Sequence, residues 1–190
     1  SEAMGGAGNL VHLTGNAVDS NTQRRIEGVQ KAVDETGGSV TLLQTITDID
    51  KDLQTAQKAV ADLLASKGAE VGGIVTTAYN PAVAATEAVG SSGLPIKVIG
   101  IDDDAVLLDA IRSGAITGTV VQNPWGQAYV GTWALASLQA GICTVNDPGF
   151  IVDSGSFLVT AQNVDTYDDE REAKTKEILS AFQSDYLTCA

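Results

Sequence analysis

The chain has 190 residues, 44% apolar and 18% charged, which excludes a disordered composition and suits one ordinary domain, or one and a fraction, around a hydrophobic core. Acidic residues outnumber basic ones 24 to 11, and a net charge of -13 argues against nucleic acid or an anionic membrane surface as a direct partner. No apolar run is long enough to read as a membrane-spanning helix, and Ser1 opens no visible signal peptide, as expected of a mature or truncated chain.

In chain order, a β-rich run over 9–14 ends at Gly15. A helix over 21–35 follows, with Ile26, Val29 and Val33 on one face and Gly37-Gly38 as its stop. A strand over 39–43 leads to a long helix over 50–66, where Leu53, Ala56, Val60, Leu63 and Leu64 recur at helical spacing. A third strand over 72–77 precedes a helix over 80–89, with Pro81 where a first-turn proline is tolerated. The near-continuous apolar run over 96–101 ends at Asp102. A short helix over 105–113, a strand over 116–121 and a helix over 124–140 follow. Beyond Gly141 the pattern changes to two short extended pieces, 150–153 and 157–160, and a charged helix over 168–182. Gly5-Gly6-Ala7-Gly8 reads as a flexible lead-in.

Strands alternating with helices of this length predict βαβ units. The strands are apolar on both faces, so the fold class is α/β, an open and mostly parallel sheet flanked by helices on both faces. Ligands bind such sheets at the carboxyl ends of the strands. That rule selects the loops 15–25, 46–50, 78–80, 102–104 and 122–124.

Familiar chemistry is thin. The single histidine, His12, argues against a histidine triad or relay and reads as a structural residue of the first strand. Cys143 and Cys189 fit no redox or zinc spacing; they are two free thiols or one disulfide that would tether the C-terminus. No glycine cradle for phosphate follows a strand. Asp48 to Asp52 resembles the opening of a calcium loop but carries Leu53 and Ala59 where glycine and glutamate are needed, so Asp48 or Asp50 is read as a helix cap. No metal, cofactor or catalytic group is expected. The strand ends instead offer Arg24-Arg25, Asp102-Asp103-Asp104 and Gln122-Asn123, a constellation suited to a polar, uncharged ligand such as a sugar or polyol.

Several segments resemble ribose-type periplasmic sugar-binding proteins: Leu10-Val11-His12-Leu13-Thr14-Gly15 with Arg25-Ile26-Glu27-Gly28-Val29, Val98-Ile99-Gly100-Ile101-Asp102, Ala110-Ile111-Arg112-Ser113-Gly114, Thr119-Val120-Val121-Gln122-Asn123-Pro124, and Phe157 to Asp165. They stand in family order and spacing. The resemblance implies the C-terminal lobe of a type I solute-binding protein of an ABC transporter. Residues 1–123 would form the ligand-binding lobe and 124–190 a hinge-crossing segment that packs on an N-terminal lobe. It implies sugar contacts at Arg25, Tyr79, Asn80, Asp102 and Gln122, with Ile49 where the family often has an aromatic residue. The implied partners are a small sugar or polyol and the membrane permease, with the missing lobe or a second copy covering Tyr129, Val130, Trp133 and Leu138 of the helix over 124–140. The implied location is periplasmic or otherwise extracytoplasmic, with anchoring as a membrane lipoprotein an alternative for the full-length form. The alternatives are the effector domain of a LacI-like transcription regulator, which shares the fold, and a small α/β enzyme using Asp102 or Asp103.

Overall fold

A computed structural model describes residues 2–146 and 148–190. The chain divides into two compact units. The first runs to Val120 and includes Val159–Val164; the second comprises Val121–Leu158 and Asp165–Ala190.

The first unit is built from β1 (Gly8–Leu13), α1 (Ser20–Asp34), β2 (Val40–Ile46), α2 (Leu53–Lys67), β3 (Gly73–Thr76), α3 (Tyr79–Ser92), β4 (Lys97–Ile101), α4 (Ala105–Arg112) and β5 (Gly118–Gln122), whose last residues pass into the second unit. With β7 (Ser156–Thr160) the sheet order is β2-β1-β3-β4-β5-β7, and the registered neighbours among β1 to β5 are parallel. The expected open, mostly parallel sheet is therefore present.

Strand order and crossover handedness decide the layers. The step from β1 to β2 runs opposite to the steps that follow, so right-handed connections put α1 on one face and α2, α3 and α4 on the other. Burial follows this division. Val11, Ile74 and Val98, on the three-helix face, are at most 1% exposed. On the α1 face Leu10, Val75, Ile99 and Val120 are only half-buried. There α1 and the sheet border an apolar hollow of about 200 Å³ whose lining includes Met4, Val29, Val33, Leu10 and Ile99. The glycine lead-in is thus more than a linker: a 3-10 turn at Glu2–Met4 lays Met4 over Gly73, where an added Cβ would stand 2.6 Å from the Met4 sulfur.

Helix starts are fixed by aspartates. Asp19 accepts from the Thr22 N–H at 2.8 Å and Asp52 from the Thr55 N–H at 2.7 Å. This corrects the expectation that Asp48 or Asp50 caps the second helix. The Asp-x-x-Thr spacing at Asp52 places its carboxylate over the third amide of α2, while the other two aspartates are engaged elsewhere. Asp104 caps α4 by accepting from the Val106 N–H at 2.8 Å.

The second unit contains α5 (Pro124–Gln139), β6 (Cys143–Val145), α6 (Tyr167–Tyr186) and β8 (Leu187–Cys189). Strands β6 and β8 pair antiparallel, with Cys143 opposite Cys189, and these two cysteines form the disulfide. Val130, Cys143, Phe182 and Leu187 make a buried cluster against which Trp133, Leu138 and Phe150 pack. Residues 150–153, expected as a short extended piece, join no sheet; Phe150 packs on this cluster and stacks on Tyr186 at 4.8 Å. On α5, Val130 is buried in the cluster, and Trp133 and Leu138 pack against it half-buried. The tyrosine of that stripe differs: Tyr129 is exposed and stacks on Trp125 at 5.0 Å.

Candidate functional site

The carboxyl ends of the parallel strands form a polar rim. At β1, Gly15 is followed by an exposed turn that Asp48 braces by accepting from the Ala17 N–H at 3.1 Å. Asp48 takes a left-handed backbone (φ 63°), a conformation that short polar side chains tolerate. Hydrogen bonds from Thr47 and from that amide hold its carboxyl below the ordinary range. Asn16, Asp48, Asp50 and Lys51 line a depression of about 430 Å³.

Arg25 leaves the second turn of α1 half-buried and donates from Nη1 to the Thr77 carbonyl at 2.8 Å. Arg24 beside it is exposed, so only one of the pair is directed at the rim. Thr77 follows β3 and leads directly into Tyr79 and Asn80, the first two residues of α3. Ala78, the residue at the cap position, has no side-chain oxygen, and Asp50 supplies the missing acceptor from another loop. Its Oδ1 accepts from the Asn80 N–H at 2.8 Å and from Asn80 Nδ2 at 3.1 Å, while its carbonyl accepts from Nδ2 at 3.0 Å. Asp50→Ala is therefore expected to destabilise the first unit by about 1–2 kcal/mol, the cost of a lost cap, and Asp50→Asn by less because an acceptor remains. Thermal melts followed by far-UV circular dichroism check both; equal losses for the two variants would contradict the cap.

Tyr79 is exposed and donates from Oη to Asp104 Oδ2 at 2.5 Å. That hydrogen bond, with the Asp104 and Asp102 charges behind it, raises the phenol's pKa. Asp102 ends β4 with φ 69°; its N–H donates to the Val120 carbonyl at 2.9 Å and its carbonyl accepts from the Thr119 hydroxyl at 2.8 Å. Arg25, Tyr79, Asn80 and Asp102 thus stand on neighbouring βα junctions of one sheet. Gln122 is the last residue of β5 and belongs to the second unit. Its neighbour Asn123, expected to offer its amide to a ligand, is buried and engaged within its own unit. It caps α5 through the Gly126 N–H at 2.9 Å and donates to the Ser154 carbonyl at 2.8 Å and to Thr175 Oγ1 at 3.0 Å. Ile49, at the position where an aromatic was considered, is a buried core residue.

Beneath the rim lies His12, fully buried, with Nε2 2.7 Å from Thr77 Oγ1. Burial lowers its pKa to about 4, so the ring is neutral at pH 7. Sequence reasoning passed over Thr77, set Asp50 at the start of the wrong helix and left Asp104 undistinguished within its triplet. The acidic runs before α2 and α4 mark where carboxylates gather, but which acid reaches across to a neighbouring junction is a long-range fact. No cluster of His, Cys, Asp or Glu suited to a metal ion occurs among the described residues.

Residues 1–142 match the family of periplasmic binding protein domains. A curated relative, the xylitol-binding protein of Mycolicibacterium smegmatis, is 26% identical over 168 residues, 87% of this chain and 46% of the relative. Among solved structures, a sugar-binding protein of a sugar ABC transporter from Bacillus halodurans superposes with a TM-score of 0.76 at 25% identity, covering 87% of this chain and 60% of that one. A carbohydrate transporter solute-binding protein from Agrobacterium radiobacter, in complex with D-arabinose, gives 0.75 at 26% identity, covering 92% and 58%. The chain therefore spans about half the length of the curated relative it matches.

Proposed function

We propose that this chain, which belongs to the family of periplasmic binding protein domains, binds a small sugar or polyol at the carboxyl rim of its sheet as one lobe of an ABC transporter's solute-binding protein. The observation that carries this reading is the gathering of Arg25, Tyr79, Asn80 and Asp102 on adjacent strand-to-helix junctions, each already braced by protein groups. Such a rim suits hydroxyls. A carboxylate accepts from neighbouring hydroxyls, a guanidinium and an amide donate to them, and a tyrosine ring covers an apolar sugar face. A pocket built this way discriminates by leaving its own groups unpaired when a hydroxyl is absent, so it selects without performing chemistry.

In this reading residues 1–123 are the ligand lobe, 124–190 cross to the rest of a longer protein, and Gln122 supplies an amide from the crossing strand. The names of the relatives support a sugar or polyol as ligand and a membrane permease as partner. The family's character supports an extracytoplasmic location, and a lipid anchor would suit a longer form; no described helix is long and apolar enough to cross a membrane.

The test is a thermal-shift panel of pentoses, hexoses and polyols that includes xylitol and D-arabinose. Concentrations should reach tens of millimolar, since one lobe supplies part of the contacts. A ligand at about 100 times its Kd adds about 2.7 kcal/mol to the stability of the first unit. Arg25→Ala and Asp102→Ala are expected to abolish the shift. A flat panel, or a shift indifferent to both substitutions, overturns the proposal.

A further inference from the structure

His12 is the chain's single histidine, and it lies fully buried in β1. Its Nε2 meets Thr77 Oγ1 at 2.7 Å, and the Thr77 hydroxyl donates to Thr14 Oγ1 at 2.8 Å. Nδ1 meets no hydrogen-bond partner among the described residues. The Thr77 hydroxyl can donate or accept, so either neutral tautomer keeps the Nε2–Thr77 hydrogen bond; with the proton on Nε2, Nδ1 keeps a lone pair rather than an N–H with nothing to receive it, the less costly orphan.

Thr77 is also the node through which the rim is assembled. Its N–H donates to the Leu13 carbonyl at 3.0 Å, its carbonyl accepts Arg25 Nη1 at 2.8 Å, and its chain continues through Ala78 into Tyr79 and Asn80. A hydroxyl held on one side by a buried imidazole and on the other by Thr14 leaves this peptide little rotational freedom.

We propose that His12 is a positioning residue for the ligand rim: by fixing the Thr77 side chain it sets the carbonyl that receives Arg25 and the entry of the chain into α3. The inference rests on the reading of this rim as a sugar site, but half of its test needs no sugar.

Long-range ¹H–¹⁵N NMR of the whole chain at neutral pH is expected to show one neutral tautomer, with the proton on Nε2; a ring that averages between tautomers, and so is not held against Thr77, overturns the inference. The Arg25 guanidinium is expected to give resolved, slowly exchanging N–H signals in the wild type. They are expected to broaden in His12→Gln and in Thr77→Val, and to return in Thr77→Ser. Variants that stay folded by circular dichroism with unchanged Arg25 signals also overturn it. If the wild type binds xylitol or D-arabinose, Thr77→Val is expected to weaken that affinity about tenfold, with Thr77→Ser restoring it. Equal affinities count against the positioning role. A wild type that binds no member of the pentose, hexose and polyol panel yet shows the expected NMR behaviour defeats the sugar reading of the site and leaves the positioning of Arg25 supported. The tautomer is read on the wild type, so the inference is decided even where a variant fails to fold.

Discussion

Reducing the Cys143–Cys189 disulfide is expected to unfold the second unit at a denaturant concentration that the first unit survives. The bond spans 46 positions and ties the strand after α5 to the strand after α6. Closing a loop of that length removes about 4 kcal/mol of chain entropy from the unfolded state. The apolar cluster it completes is small, with Val130, Cys143, Phe182 and Leu187 as its buried members, and a core of that size leaves little margin without a covalent link. The two units can be followed separately, since Trp125 and Trp133 are the chain's two tryptophans and both lie in the second unit. Tryptophan fluorescence is therefore expected to show an early transition in reductant, or in the Cys143→Ala/Cys189→Ala double variant, while far-UV circular dichroism retains a later one. A fluorescence midpoint unmoved by reductant would refute this. The expectation agrees with an oxidising compartment, where such bonds persist.

Acid is expected to weaken the first unit through His12 before the carboxylates respond. The imidazole has a pKa of 6.5 when exposed and about 4 in the fold, so between these values the unfolded chain binds a proton that the folded chain refuses. Stability therefore falls as pH drops through this window and levels off below pH 4. The total is about 3 kcal/mol, at 1.36 kcal/mol for each pH unit of separation. Asp19, Asp48 and Asp52 have lowered carboxyl pKa values through hydrogen bonds to their charged forms, led by the Thr22 amide, the Thr47 hydroxyl and the Thr55 hydroxyl respectively. Their contribution is lost only as pH falls below the ordinary carboxyl value of 3.8. Urea unfolding of wild type and His12→Gln from pH 7 to pH 4, followed by circular dichroism, isolates the histidine because the carboxylates are common to both. The stability difference is expected to shrink by about 3 kcal/mol toward pH 4. Parallel pH curves would contradict the assignment.

The strand and helix order of the first unit was legible because its signals are local. Apolar runs such as 96–101 mark buried strands, glycines punctuate them, and the stripe from Ala56 to Leu63 marks the inward side of α2. The likeness carried by Leu10 to Gly15 and Val98 to Asp102 located the rim because strand ends recur at fixed intervals. What escaped is non-local. Three-residue strands such as β6 and β8 are too short to show any period, and their pairing is visible only where Cys143 meets Cys189. An apolar stripe on α5 says that something packs there but not what; within its own unit, Phe182 of α6 and Phe150 join Val130 in one cluster. Asn123, expected to offer its amide to a ligand, instead caps α5 and donates to acceptors 31 and 52 residues away.

The uneven covering of the sheet has an evolutionary consequence. Ile74 and Val75 are consecutive residues of β3, yet the first is sealed under helices and the second stands half open above the α1 hollow. Substitutions at the first carry the full cost of a disturbed interior, while the second can drift toward larger or more polar side chains at little cost. At Ile74–Val75 and Val98–Ile99 constraint and freedom therefore sit on adjacent residues, and the half-open positions can be rewritten by descent while their neighbours are kept.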